Sequence, residues 1–252
     1  SEFPSINMPQ GNGTLVNVDK SLEEAYCAAI TKSLTQQNPK TRIAYTPLHG
    51  VAMELIQKNF IKAQAGELIP VKTQMVPDAE FPTVPFPNPE EHGVMDSVTA
   101  LAKASNADLA LANDPDGDRL AVAIPTLSGD WRLLSGDEIG ALLFNHVVRK
   151  TSGNNRKVVT TIVCSKLVSK IASKNGVEHS TTLTGFKWII PAAYNDSSLQ
   201  PIFCYEEALG YATNTAVRDK DGISAALMMA ELTAALKEQG QTLEDELDAL
   251  SL

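Results

Sequence analysis

The sequence predicts an α/β protein made of two consecutive α/β domains, each a mixed, mainly parallel sheet flanked by helices. Three observations carry this prediction. Apolar strand-like runs alternate with segments of helical spacing along the chain, the pattern of strand–helix–strand units. The same order of elements runs twice, without a repeat at the level of sequence, and divides near residue 134. In each half an unusual polar cluster trails the third strand: "DPDGDR" follows "DLALAN", and "EEALGY" follows "PIFCY". Open parallel sheets bind ligands beyond the carboxyl ends of their strands, so both clusters fall where a site is expected.

Residues 1–18 read as a cloning scar, Ser1-Glu2-Phe3 without a Met, and a Pro-, Gly- and Asn-rich linker. The first domain spans 19–134. Ser21 and Glu24 suggest a capping box for a helix with Leu22, Ala25, Ala29, Ile30 and Leu34 at helical spacing. A strand at Arg42–Tyr45 leads through "TPLHGV" into a helix carrying Val51, Leu55, Ile56 and Phe60. A second strand, Glu67–Lys72, precedes "VPDAEFPTVPFPNPEE", which its prolines force to be extended. A helix over Val94–Ser105, a strand over Asp108–Ala112 and a hairpin of Leu120–Ile124 with Trp131–Leu134 around "LSGD" complete this half.

The second domain spans 135–252. Ser135 and Glu138 form a capping box for "DEIGALLFNHVVRK". Strand "KVVTTIVC", a helix over 165–175, a strand over 177–183, an irregular "TGFKWIIPAAYN", strand "PIFCY" and a helix over Gly222–Gln239 follow.

The bulk properties narrow the functional classes. The 252 residues carry a net charge of −9 and a pI near 5.0, which argues against nucleic-acid or anionic-membrane partners because those need a positive field. Hydrophobic content of 43% supports a sizeable core, yet no apolar run approaches the ~18 residues of a membrane span. Cys27, Cys164 and Cys204 are far apart and form no CxxC pair, so free thiols in a reducing, cytoplasmic setting are expected.

Asp114, Asp116 and Asp118 stand at alternate positions and are followed by Arg119. Carboxylates this close repel one another unless a cation sits among them. Alternation around Pro115 and Gly117 turns three hard oxygens toward one point, which suits Mg²⁺ with open positions for water or a phosphate oxygen. Arg119 beside the ion would serve a phosphate through bidentate hydrogen bonds. A calcium EF-hand does not fit, since Arg119 stands where its Gly should be and Pro125 where its Glu should be. An Asp-rich surface turn is the plain alternative. A haloacid-dehalogenase-like phosphatase with Asp114 as nucleophile is another, although Asp118 stands where that family needs Thr or a similar residue.

"NDPDGDR" resembles the metal loop of the α-D-phosphohexomutases, the phosphoglucomutase and phosphomannomutase family. "TPLHGV", "FPTVPFPNPEE", "LTGFKWI", "CYEEALGY" and "RDKDGI" stand in the order of that family's second and third domains, over about Asp19–Leu252. The resemblance implies one part of a four-domain enzyme built around a cleft. In that scheme a phosphoserine of the first domain gives its phosphoryl group to a hexose 1-phosphate, and the bisphosphate turns over to leave the 6-phosphate. It implies Mg²⁺ on Asp114, Asp116 and Asp118, with Glu206 of "EEALG" gripping sugar hydroxyls. Ala208 stands where many members have Ser, and Tyr205 where they have Gly, which bears on substrate preference. Lys220 of "RDKDG" matches a position proposed as a general acid/base, with an electrostatic clamp as the equal alternative. Arg218 of the same motif is implied to be a substrate-binding residue of the cleft, as Gly185, Lys187 and Ala208 are. Gly185 of "TGFKW" supplies a tight turn and Lys187 a reach into the cleft, while Phe186 and Trp188 read as packing residues. His49 reads as a loop-packing residue first and a cleft-lining one second; His92, His146 and His179 show no ligand spacing.

The family's T-A-S-H-N-P phosphoserine motif and R-x-S-G-T-E-P phosphate loop do not occur in the sequence. The expectation is therefore a middle fragment of a Mg²⁺-dependent mutase of glucose or mannose phosphates, inactive without the first and fourth domains. A complete, non-catalytic sugar-phosphate or metal-binding protein is the competing expectation.

Overall fold

The computed structural model describes residues 19–34, 40–126 and 128–251; the scar and linker read over residues 1–18 lie outside them. Helices α1 (Lys20–Lys32), α2 (Met53–Ala63) and α3 (Asp96–Ser105) accompany strands β1 (Arg42–Thr46), β2 (Glu67–Pro70), β3 (Leu109–Asn113), β4 (Leu120–Pro125) and β5 (Trp131–Leu133). These strands form one sheet in the order β2-β1-β3-β4-β5, parallel across β2, β1 and β3 and antiparallel through β4 and β5. The second half contributes α4 (Gly136–Lys150), β6 (Arg156–Thr161), α5 (Leu167–Lys174), β7 (Glu178–Thr182), α6 (Phe186–Ala193), β8 (Gln200–Glu206), β9 (Gly210–Ala212), α7 (Gly222–Glu238) and α8 (Leu243–Ser251). Its sheet runs β7-β6-β8-β9, with only the last pair antiparallel. Two α/β units with mixed sheets flanked by helices are thus present, as the sequence pattern predicts.

The strands of the first sheet read as near-continuous apolar runs because both faces are covered. All five residues of β3 and the first five of β4 are buried. Helix α7, mostly apolar and buried around its circumference, packs on β3 and β4 of one sheet, β9 of the other, and α2 and α4. A single cluster of buried side chains therefore runs from Ile43 and Leu111 through Leu227 and Met229 to Phe203 and Tyr205. The two units share a core.

Several local expectations need correction. Helix α1 is capped by Asp19, whose carboxylate accepts the Ser21 N–H at 2.8 Å, and not by a Ser21–Glu24 box. The Ser135–Glu138 box does form at α4. "TGFKWIIPAAYN" is not irregular: α6 runs through it with Pro191 inside. Burial of Phe186, Ile189 and Ala193 on one face, against Val159 and Cys204, outweighs the hydrogen bond that Pro191 removes. Trp188, expected to pack, is 50% exposed, because it falls on the opposite side of that short helix. Strand "KVVTTIVC" ends at Thr161, leaving Ile162 and Val163 exposed. The two short elements β9 and α8 were not foreseen. Among the described residues no helix is long and apolar enough to cross a membrane, and all three cysteines are free thiols.

Candidate active site

The Asp loop joins the carboxyl end of β3 to β4, and its neighbours hold it tightly. Gly117 adopts φ +77°, a left-handed conformation that suits glycine, and a Cβ there would lie 3.1 Å from Ala52 Cβ. Gly50 of "TPLHG" approaches so closely that a Cβ would sit 2.3 Å from the Pro115 carbonyl oxygen, and the Val51 N–H donates to that same oxygen at 2.9 Å. From the other side, Gly222 at the start of α7 abuts the Arg119 and Gly117 carbonyls. Asn113 closes the loop from inside: its amide donates to the Arg119 carbonyl at 2.6 Å and accepts from the Tyr45 hydroxyl at 2.9 Å.

Within this frame one carboxylate oxygen each from Asp114, Asp116 and Asp118 falls within 4.8 Å of the others. Asp114 is buried, Asp118 half-buried and Asp116 exposed. Arg119 holds both Asp114 oxygens, its backbone N–H on Oδ1 at 3.0 Å and its Nε on Oδ2 at 2.6 Å. Those two bonds fix the orientation of the Asp114 carboxylate. Partial burial, then the charges of Asp114 and Asp118, hold the Asp116 carboxyl above its ordinary value. The donor set is all hard oxygen and carries an excess of negative charge, so it fits Mg²⁺ or Mn²⁺ and not a thiolate- or imidazole-seeking metal.

Opposite the Asp loop, the end of β8 presents Glu206. Its Oε2 accepts the N–H of Gly185, which sits at φ +105° as the cap of α6. Burial pushes the Glu206 carboxyl up, and the Gly185 N–H and the Lys220 charge only partly counter this. Lys220 Nζ lies 2.9 Å from Asp118 Oδ2, so a lysine from the second sheet's side pairs with a carboxylate of the first. Asp114, Asp116, Asp118 and Arg119 form one wall of a cleft of about 540 Å³; Glu206, Ala208 and Lys220 form the other, with Phe86 and Pro87 at the edge.

The Pro-rich segment reaches that edge because a partly buried polar chain ties Thr83 to Thr46, Gln74 and His49. The Thr46 hydroxyl donates to Gln74, Gln74 Nε2 donates to the Thr83 hydroxyl, and His49 Nε2 lies 2.8 Å from that hydroxyl. His49, 4% exposed, is a loop-packing residue. Further on, Asn88 Oδ1 accepts from Arg119 at 3.2 Å.

Two expected site residues lie elsewhere. Arg218 stacks on the Tyr194 ring at 4.5 Å, and Lys187 is exposed beside Trp188; neither lines the cleft. Glu207, which strand alternation would turn to solvent, is half-buried and accepts the Thr161 hydroxyl at 3.0 Å. Asn113 and Tyr45 were missed. The available signal was an Asn ending an otherwise apolar, fully buried strand.

Comparison with known proteins follows the same lines. A family model described as phosphoglucomutase/phosphomannomutase, alpha/beta/alpha domain II, matches residues 24–129, and one for domain III matches residues 135–251. The chain is 41% identical over 230 residues to a probable phosphomannomutase of Haemophilus influenzae, covering 90% of this chain and 46% of that protein. It is 40% identical over 225 residues to the human phosphopentomutase, covering 84% of this chain and 36% of that protein. A Staphylococcus aureus phosphoglucomutase is 33% identical, with 92% and 42% covered. The chain thus spans less than half the length of these relatives. The crystal structure of a putative phosphomannomutase from Thermus thermophilus superposes with a TM-score of 0.76 at 21% identity, over 91% of this chain and 50% of that one, and so shares the fold.

Proposed function

Because this chain belongs to the phosphoglucomutase/phosphomannomutase family, of which it holds domains II and III, we propose that it is the metal- and sugar-holding centre of a Mg²⁺-dependent mutase. Such an enzyme moves a phosphoryl group between hydroxyls of a glucose or mannose phosphate. The observation that carries this reading is the meeting of the Asp loop and the Glu206 loop across one cleft, with Lys220 reaching from the second wall to Asp118.

Asp114, Asp116 and Asp118 would hold the Mg²⁺. The bound ion would offset negative charge as a phosphoryl group passes between oxygens. Arg119 has Nε committed to Asp114 and Nη1 to Asn88, so it acts first by fixing Asp114 and second by presenting positive charge to a phosphate. Lys220 supplies a further cation at the cleft. Glu206, turned by the Gly185 N–H, is placed to accept from sugar hydroxyls. Ala208 offers no side-chain donor, so the sugar-facing wall is one hydroxyl poorer than a Ser would make it. Turnover is assigned to the larger enzyme, since the phosphoryl donor and the second phosphate loop are expected in the flanking domains.

A pentose phosphate is the second reading, favoured by the 40% identity to a phosphopentomutase. Calorimetric titration with glucose 1-phosphate and with ribose 1-phosphate, each in Mg²⁺, ranks the two. The reading predicts Mg²⁺-dependent binding without turnover, lost in Glu206→Gln while Mg²⁺ is still bound. Undiminished sugar-phosphate binding in that variant contradicts it.

A further inference from the structure

We infer that Lys220 is the resident counter-ion of the Asp loop, and that it gives up Asp118 when a divalent cation binds, swinging toward the Glu206 wall to meet the phosphate of the ligand. The inference rests on the reading above that the loop holds such a cation.

Three carboxylates within 4.8 Å need positive charge, and among the described residues two cations supply it. They differ in how firmly they are held. Arg119 engages Asp114 with main chain and side chain together, and that carboxylate is 3% exposed. Lys220 meets Asp118 through one ammonium contact, with the two side chains 21% and 33% exposed. Of the two, Lys220 is the one free to leave.

Its route is built into the fold. Lys220 immediately precedes Asp221, the cap of α7, whose N–H donates to the Tyr211 carbonyl at 2.8 Å, so the backbone end is fixed. The side chain then crosses Gly210, where a Cβ would stand 2.5 Å from Lys220 Cδ and 3.1 Å from Glu206 Cγ. The Phe186 ring lies 5.7 Å from the ammonium. The stem is channelled, and the ammonium at its end lies 2.9 Å from Asp118 and 4.0 Å from Asp219, in the cleft that Glu206 also lines. Exchange of a lysine for a divalent ion at Asp118 frees a cation where a phosphate would arrive. Metal and phosphate binding are then coupled through a single side chain.

Two measurements on the 252-residue chain test this. Mn²⁺ calorimetry on wild type and Lys220→Met, which keeps the stem and drops the charge, should show the variant binding about tenfold more tightly, as removal of a competing unit charge a few ångströms away requires. In reductively ¹³C-methylated protein, the Lys220 signal, identified by its loss in Lys220→Met, should move when Mg²⁺ is added. Wild type that binds Mn²⁺ beside a variant of equal or weaker affinity overturns the counter-ion role alone. An unmoved Lys220 signal at saturating Mg²⁺ overturns the exchange. Failure of wild type to bind either ion overturns the metal reading and this inference with it.

Discussion

Leu120 donates its backbone N–H to the carbonyl of Leu209 at 3.0 Å. This bond, beside the Arg119–Gly210 bridge, joins the exit of the Asp loop to the exit of the Glu206 loop. The two walls of the cleft are therefore tied by main chain, and not only by side chains that solvent could separate. The close contact of Gly136 with the Glu207 carbonyl, and of Gly222 with the Arg119 and Gly117 carbonyls, adds two helix starts to the same frame. The Asp-loop wall and the Glu206 wall are thus tied to each other by main chain, as a preorganised site requires.

Gly222→Ala should strain that frame where α7 meets the Asp loop. The new Cβ would stand 2.3 Å from the Arg119 oxygen, 2.4 Å from Asn113 Nδ2 and 2.7 Å from the Gly117 oxygen, against backbone that cannot turn away. A loss of about 3 kcal/mol is expected from such overpacking, read from the urea midpoint, together with weaker Mn²⁺ binding. An unchanged midpoint would mean that α7 can withdraw from the loop.

Asn113→Ala removes the inner closure of the loop. It leaves the buried Tyr45 hydroxyl and the Arg119 carbonyl without their partner, at a cost of about 3 kcal/mol. Tyr45→Phe in the same background should cost little more, because the hydroxyl has already lost its acceptor. A double-mutant cycle in urea checks this, and additive losses would show that Tyr45 has another acceptor.

Glu138 gives stability a pH dependence of known sign. Burial opposes its ionisation, but the Ser135 N–H, the Arg132 guanidinium and the Ser135 hydroxyl outweigh burial and hold its carboxyl below the ordinary value. Its contribution is present above the unfolded-state pKa and is lost as pH falls through the lower folded value. Glu138→Gln, which preserves the capping geometry, should cost about 0.5–1 kcal/mol at neutral pH and progressively less at acid pH, as the pH falls through the lowered folded value. Equal losses at neutral and acid pH would show that the charge is not what matters.

How much was legible in advance follows from sequence distance. Asp114, Asp116 and Asp118 declared themselves because adjacent carboxylates must answer their own repulsion. The sheets were legible because strands covered on both faces become apolar runs. Lys220 reaches Asp118 only through the fixed start of α7 and the missing side chain of Gly210, and no local pattern encodes that route. Lys187 and Arg218 were placed in the cleft by their motifs, yet α6 turns Lys187 outward and the Tyr194 ring holds Arg218. The α6 helix was hidden because Pro191 is a strong local signal, whereas the burial that overrides it comes from β6 and β8. Asn113 pairs with Tyr45 across 68 residues, a contact that only the parallel register of β1 and β3 creates.

The most direct test of the central claim is calorimetric titration of the chain with Mg²⁺ and Mn²⁺, beside an Asp116→Ala variant. Asp116 is the most exposed of the three carboxylates, so its loss should remove a ligand without unfolding the loop. The account predicts one ion bound by wild type and none by the variant at the same concentrations. Equal binding by both, or by neither, would contradict a metal site on the Asp114–Asp118 loop.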